Sequence, residues 1–88
     1  MPDARLEEVL GFIAANVRRI RLKRGMTQQE LAEAAGIALR FLQEIERAKT
    51  NVGVAVLVKL ADVLRVPPGV LFRRRELPEV KRGRPKKG

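Results

Sequence analysis

Closely spaced helix signals around Gly36 constrain the fold of this 88-residue chain most strongly. Thr27 and Glu30 have the spacing of a capping box, in which each side chain accepts a hydrogen bond from the other residue's backbone N–H. Met26 precedes the cap and can pack on Leu31 as a hydrophobic staple. Gly36 stops this helix after about nine residues. Another helical pattern begins directly afterwards, so the pair has the spacing of a helix-turn-helix.

Apolar side chains at helical spacing predict a longer helix before this pair, over about 4–24. They are Leu6, Val9, Leu10, Ile13, Val17 and Ile20. Asp3 is placed to cap the first turn and Gly25 to stop the last. Gly11 interrupts the pattern, so we expect a bend there between a leader and the helix proper.

Three more helices are predicted towards the C-terminus. The third spans about 38–48 and buries Ile37, Leu42 and Ile45. After a connection at 49–53, a fourth spans about 54–64 and buries Val54, Leu57, Leu60, Ala61 and Leu64. Pro67-Pro68 can start a short fifth helix that places Leu71 and Phe72 on the core. No segment alternates with a period of two, so the fold is predicted to be all-α.

The composition excludes most enzyme classes. The chain has no His and no Cys, which removes Ser-His-Asp triads, cysteine nucleophiles and zinc sites built from imidazole or thiolate. We therefore predict a protein that is not an enzyme and has no metal, cofactor or small-molecule ligand. The apolar runs are too short to span a membrane, and we expect a cytoplasmic, nucleoid-associated protein.

Positive charge is concentrated at the C-terminus. Residues 1–72 hold 11 basic and 8 acidic side chains, a net charge of +3, whereas residues 73–88 hold 8 and 2, a net charge of +6. The last segment has few apolar side chains to offset the entropy of ordering, so we expect a flexible arm. The chain is thus divided into a helical leader at 1–12, a helix-turn-helix domain at 13–72 and a basic tail at 73–88.

The stretch 17–72 resembles the Cro/C1-type (XRE) family of DNA-binding domains. The resemblance is carried by R-x-I-R (18–21), R-G-M-T-Q-Q-E-L-A (24–32), A-G-I (35–37), F-L-Q-E-I-E-R (41–47), L-V-K-L-A-D-V-L-R-V (57–66) and L-F (71–72). It implies a five-helix, lambda-repressor-like domain whose third helix enters the major groove of double-stranded DNA. The asparagine-containing connection followed by V-K-L-A also resembles small controller proteins of restriction–modification systems.

The third helix then has one face for the core and one for DNA. With Leu42 and Ile45 inward, the outward side chains are Leu39, Arg40, Gln43, Glu44 and Arg47. Arg40 can bind guanine, Gln43 adenine and Glu44 a cytosine amino group, while Leu39 suits a thymine methyl. The alternative is a solvated charged face, or an interface residue in the case of Leu39.

Other positions serve the backbone of the DNA or the scaffold of the protein. Gln28 begins the second helix, where free N–H groups favour a phosphate, as the family resemblance also implies. Lys49, Thr50 and Asn51 follow the third helix and are expected to contact the sugar-phosphate backbone. Arg21 and Glu46 match a family ion pair that holds helices one and three together.

Three features of the domain leave alternatives open. The basic cluster at 18–24 is either a solvated face or a flanking phosphate contact. Ala48 stands where the family often has a glycine, so the third helix either continues there or is strained. Val52-Gly53 replaces a common proline–serine, which predicts a weak N-cap for the fourth helix.

The tail contains a short motif of its own. Arg82, Gly83, Arg84 and Pro85 resemble the core of an AT-hook, in which arginines enter a narrow A·T minor groove. A nonspecific polycationic tether and a nuclear-localisation-like run are the alternatives.

These features predict a transcriptional regulator that binds a pseudo-palindromic operator as a homodimer. Helices four and five, near Val66, Val70 and Leu71, form the expected dimer surface, with the leader as the alternative. The competing hypotheses are an architectural nucleoid-type protein and an antitoxin-like protein-interaction module.

Overall fold

The computed structural model describes residues 3–75, and this part of the chain contains helices and no strand. Four α-helices are followed by one 3₁₀ helix: α1 (Ala4–Lys23), α2 (Gln28–Ala35), α3 (Leu39–Glu46), α4 (Val54–Leu64) and the 3₁₀ helix Pro68–Phe72. The all-α prediction is confirmed for these residues. The AT-hook-like residues Arg82, Gly83, Arg84 and Pro85 lie outside the described residues, as does the rest of the tail beyond Arg75.

The helix α1 is one continuous element, so Gly11 does not divide a leader from the helix proper. Asp3 caps it, its carboxylate accepting from the backbone N–H groups of Arg5 at 3.0 Å and Leu6 at 3.3 Å. One interior glycine costs about 1 kcal/mol relative to alanine. That cost is small beside the packing of a 20-residue helix, so α1 runs through it.

The short fifth helix predicted after Pro67-Pro68 is present as a 3₁₀ helix of five residues, so the α-helices number four in the described residues. It begins with Pro68, preceded by Pro67, and contains Gly69, so it has few backbone donors and little helix propensity. Its carboxyl end is fixed by packing instead, since Leu71 is fully buried. The chain therefore makes one tight turn here.

The third helix ends two residues earlier than the prediction of 48, at Glu46. Arg47 caps it, and Ala48 adopts a left-handed conformation with φ of 57°. A helix cannot continue through that conformation, so strain is the outcome at this position. The N-cap of α4 is weak, as predicted, because Gly53 has no side chain that could accept a hydrogen bond from the first turn.

The core is formed by the inward faces of all four helices and by Leu71. Its fully buried large side chains include Val17, Leu31, Leu42, Ile45, Leu60 and Leu64. Two expected core residues are not there: Val54 is 73% exposed and Phe72 is 46% exposed. Each is the terminal residue of its helix, where helical spacing says least about burial. Ile37 is only partly buried against the core.

Candidate nucleic-acid interface

Local hydrogen bonds define both ends of α2, the first of the two short helices. The capping box is present: Thr27 Oγ1 accepts from the Glu30 N–H at 3.0 Å, and Glu30 Oε1 accepts from the Thr27 N–H at 2.9 Å. Gly36 ends α2 with φ of 71°, and the Ile37 N–H donates back to the Ala32 carbonyl at 3.0 Å. These bonds close both ends of α2, and only three residues separate it from α3.

The outward face of α3 forms one open depression. Six of the nine side chains predicted to bind DNA line it: Leu39, Arg40, Gln43, Glu44, Arg47 and Lys49. Leu42 and Ile45 are buried on the opposite face of the helix. The structure thus brings together a guanidinium, an amide, a carboxylate and an apolar side chain on one exposed helix face. Leu39 also packs partly against the core, so only part of it is available.

The charged groups of this face are only loosely paired. Arg40 Nε lies 3.9 Å from Glu44 Oε2, with the two side chains 89% and 44% exposed. An exposed pair of this kind contributes about 0–1 kcal/mol, so neither group is held away from another partner. Arg47 and Lys49 are exposed as well.

A buried polar network supports the depression from behind. Arg21 donates to both oxygens of Glu46, Nε to Oε2 at 2.7 Å and Nη2 to Oε1 at 3.1 Å. Its Nη1 donates to the Met26 carbonyl at 2.8 Å. The side chains of Arg21 and Glu46 are 9% and 3% exposed. The predicted residues therefore meet, and they join α1 to α3.

The network extends to two of the predicted DNA-binding residues. Gln28 Nε2 donates to Glu46 Oε1 at 3.1 Å, and Gln43 Nε2 donates to Gln28 Oε1 at 3.4 Å. Sequence reasoning assigned Gln28 to a phosphate and missed this side-chain contact. No local sequence signal indicated this contact, because Glu46 lies 18 positions away. The outward Gln43 is thus connected to the scaffold through two hydrogen bonds.

The connection after α3 holds Lys49 and two further predicted residues, Thr50 and Asn51. The Ala48 N–H donates to the Ile45 carbonyl at 3.1 Å, and the Lys49 N–H donates to the Glu44 carbonyl at 2.9 Å. Val52 is buried and returns the chain to the core. Lys49, Thr50 and Asn51 lie between these two anchors.

The basic cluster at 18–24 contacts the end of α4 through Arg24. Arg24 Nε donates to the Leu64 carbonyl at 2.9 Å and its Nη2 to the Arg65 carbonyl at 3.4 Å, so Arg24 caps the end of α4. A second depression lies here, lined by Arg19, Ile20, Lys23, Arg24, Val66, Val70 and Arg73. The cluster is therefore partly structural, and its cations line this depression together with apolar side chains.

Between residues 3 and 75, no helix is long and apolar enough to cross a membrane. Within the same range, no group of three or more His, Cys, Asp or Glu is placed to hold a metal ion.

The curated proteins that are similar to this chain include two regulators. The HTH-type transcriptional regulator SutR of Escherichia coli is 36% identical over 62 residues, covering 70% of this chain and 35% of that protein. The chain thus spans about a third of the length of SutR. The control protein C.SmaI of Serratia marcescens is 32% identical over 79 residues, covering 88% of this chain and 94% of that protein.

Solved structures with the same fold include two that bear on the site. The restriction–modification controller protein C.AhdI of Aeromonas hydrophila has a TM-score of 0.70 at 30% identity, covering 72% of this chain and 96% of that one. SinR, a master regulator for biofilm formation solved in complex with DNA, has a TM-score of 0.66 at 35% identity, with 69% and 98% covered. These relatives are DNA-binding regulators and not enzymes. The helix-turn-helix family HTH_3 matches residues 17–71, and the chain belongs to it.

Proposed function

We propose that this protein is a sequence-specific DNA-binding transcriptional regulator that inserts α3 into the major groove. The observation that carries the proposal is the open depression on α3. Four chemically different groups on one helix face can distinguish base edges, because each base pair presents its own donors and acceptors in the major groove. A protein that only coats DNA needs cations alone.

The roles of the side chains follow from their chemistry and exposure. Arg40 extends into solvent and has the forked donors that match guanine O6 and N7. Gln43 can bind adenine, and its link to Gln28 restricts its orientation. Glu44 can accept from cytosine, and the exposed part of Leu39 can contact a thymine methyl.

Phosphate contacts come from backbone and side chains around this face. The free N–H groups of Gln28 and Gln29 at the start of α2 favour an anion because of the helix dipole. The amide of Gln28 is already engaged with Glu46, so its own contact is made through the backbone. Arg47, Lys49, Thr50 and Asn51 supply the phosphate contacts at the other end of α3.

A homodimer on a pseudo-palindromic operator fits the small size of the reading face. One recognition helix reads only a few base pairs, and two-fold pairing doubles that number. The partly buried Val66 and Val70 remain candidates for the dimer surface. Leu71 does not, because it is fully buried in the core. The basic tail, with Arg82 and Arg84, adds phosphate and minor-groove contacts.

Selection of bound sequences from random DNA tests the proposal, with Arg40→Ala as the variant. We expect an enriched two-fold-related sequence and, for the variant, a loss of preference at one position of each half-site worth about 1–3 kcal/mol. Arg5→Ala is the control, because it removes the same charge from an exposed position on α1.

Two outcomes would contradict this assignment. If no palindrome is enriched, this protein is not a sequence-specific regulator of this kind. If Arg40→Ala weakens binding equally on every sequence, Arg40 contacts a phosphate and does not read a base.

The concentration of charge at 73–88 favours one second candidate, an architectural protein that coats A·T-rich DNA. Competition with unrelated DNA separates the two. A specific regulator is expected to prefer its operator by about 10³-fold or more, whereas a coating protein would show little preference.

A further inference from the structure

Three side chains on one face of α1 hold the segment that leaves the 3₁₀ helix. Glu8, Phe12 and Asn16 follow each other at intervals of four residues and therefore share a face. Asn16 is fully buried, and its Nδ2 donates to the Leu71 carbonyl at 3.1 Å and the Arg73 carbonyl at 2.9 Å. The backbone of this segment is thus fastened to the middle of α1.

The next residue of the segment is held by the other two side chains. Arg74 Nη2 lies 3.3 Å from Glu8 Oε2. Its guanidinium carbon lies 5.0 Å from the centre of the Phe12 ring, which is cation–π distance. Together Glu8, Phe12 and Asn16 form a clasp around residues 71–74.

Nearly all of these partners lie outside the part of the chain that matches the family. The match covers 17–71, whereas the clasp lies before it and its two arginine partners, Arg73 and Arg74, lie after it. The two flanks of the family domain therefore contact each other. These contacts lie outside the helix-turn-helix, at the point where the basic tail begins.

We propose that the clasp positions the root of the basic tail for DNA binding, an inference that rests on the proposed function. Five cations follow Arg75: Lys81, Arg82, Arg84, Lys86 and Lys87. A tail whose first residues are fixed on the domain loses less conformational entropy when it binds, and it has a higher effective concentration at nearby DNA. Glu8, Phe12 and Asn16 are thus positioning residues that do not touch DNA.

Thermodynamic linkage sets an upper limit on the gain in DNA affinity that the clasp can provide. The clasp can raise DNA affinity by no more than the free energy with which it holds the tail's root. Arg74 and Glu8 are 69% and 48% exposed, so their contacts are individually weak. We expect about a three- to tenfold effect on affinity from the ion pair and the cation–π contact together.

A double-mutant cycle in the full chain measures this coupling. One axis is Glu8→Gln with Phe12→Leu, which removes both contacts to Arg74 while keeping an apolar side chain. The other axis replaces the five tail cations by Ala. Glu7→Gln is the matched control, since it removes the same charge from the adjacent exposed position. We expect the clasp variant to weaken operator binding about three- to tenfold with the natural tail and by less than about 1.5-fold with the neutral tail.

Trypsin cleavage after Arg74, followed by mass spectrometry, gives a readout without DNA. Cleavage follows the population of the open segment, so the clasp variant is expected to be cut at least about threefold faster than the Glu7→Gln control. Equal weakening with both tails would overturn the proposal, because the clasp would then act only on the fold. Unchanged cleavage would overturn it too. If the neutral tail alone leaves affinity unchanged, the tail has no role to position and the proposal fails, while the reading role of α3 is judged separately by Arg40→Ala.

Discussion

Glu46 is the residue on which most of the scaffold contacts converge. Its carboxylate accepts two hydrogen bonds from Arg21 and one from Gln28, and it is almost completely buried. Two of these contacts join α1 to α3, and the third joins α2 to α3. A single carboxylate thus fixes the position of α3 relative to the rest of the domain.

Glu46→Ala is therefore expected to lower the free energy of unfolding by about 3–5 kcal/mol, because it leaves the Arg21 guanidinium buried without its counter-charge. Urea unfolding followed by circular dichroism measures the change. Replacing both residues, Arg21→Met with Glu46→Leu, is expected to recover most of the loss, since no buried charge remains. A double variant as unstable as the single one would show that hydrogen-bond geometry, and not charge, dominates.

Ala48 carries backbone strain that a glycine would remove. A left-handed conformation costs an L-residue about 1–2 kcal/mol, and glycine adopts it without that cost. Part of the gain is offset by the greater freedom of glycine in the unfolded chain. We expect Ala48→Gly to raise the free energy of unfolding by up to about 1 kcal/mol, measured as the urea midpoint.

The matched control is Ala55→Gly, an exposed position inside α4. The same substitution there is expected to lower stability by about 0.5–1 kcal/mol, because the helix gains nothing from glycine. If both variants are destabilised alike, Ala48 carries no strain that matters.

At the scale of elements, strong local signals predicted the helices best. The capping box at Thr27 and the glycine at Gly36 place α2 to within a residue, because hydrogen bonds between near neighbours decide both ends. The start and end of α4 also agree with the prediction, from its apolar spacing alone. Where no local signal exists, the prediction fails: Ala48 adopts a left-handed conformation although alanine is the best helix former.

The site residues also fall into two groups, those placed by local helical spacing and those placed by contacts with distant parts of the chain. Helical spacing was enough to place Leu39, Arg40, Gln43, Glu44 and Arg47 on one face opposite Leu42. The side chain of Gln28 could not be predicted, because its direction depends on Glu46, which lies 18 positions away. The clasp on α1 was missed for the same reason, since Asn16 and its two carbonyl partners are separated by more than 50 positions.

At the scale of the whole molecule, the tail and the domain are expected to contribute differently to DNA binding. Removing residues 76–88 takes away five cations and leaves α3 and the clasp in place. Each lost phosphate contact reduces the slope of log affinity against log salt by about 0.9, so the slope falls by up to about 4.5 per chain. Salt titrations of operator binding measure this, with the preferred sequence expected to stay the same. A changed operator preference would mean that the tail reads bases.

The second depression has a consequence for how such titrations are interpreted. Its lining includes four cations, Arg19, Lys23, Arg24 and Arg73, together with Val66 and Val70. If the proposed dimer forms through this surface, like charges from both subunits come together there, and their repulsion is screened as salt rises. Added salt would then strengthen subunit pairing while it weakens contacts with phosphates. Below the concentration at which such dimers form, these opposing responses would partly cancel, and a measured salt slope would count fewer phosphate contacts than the dimer makes.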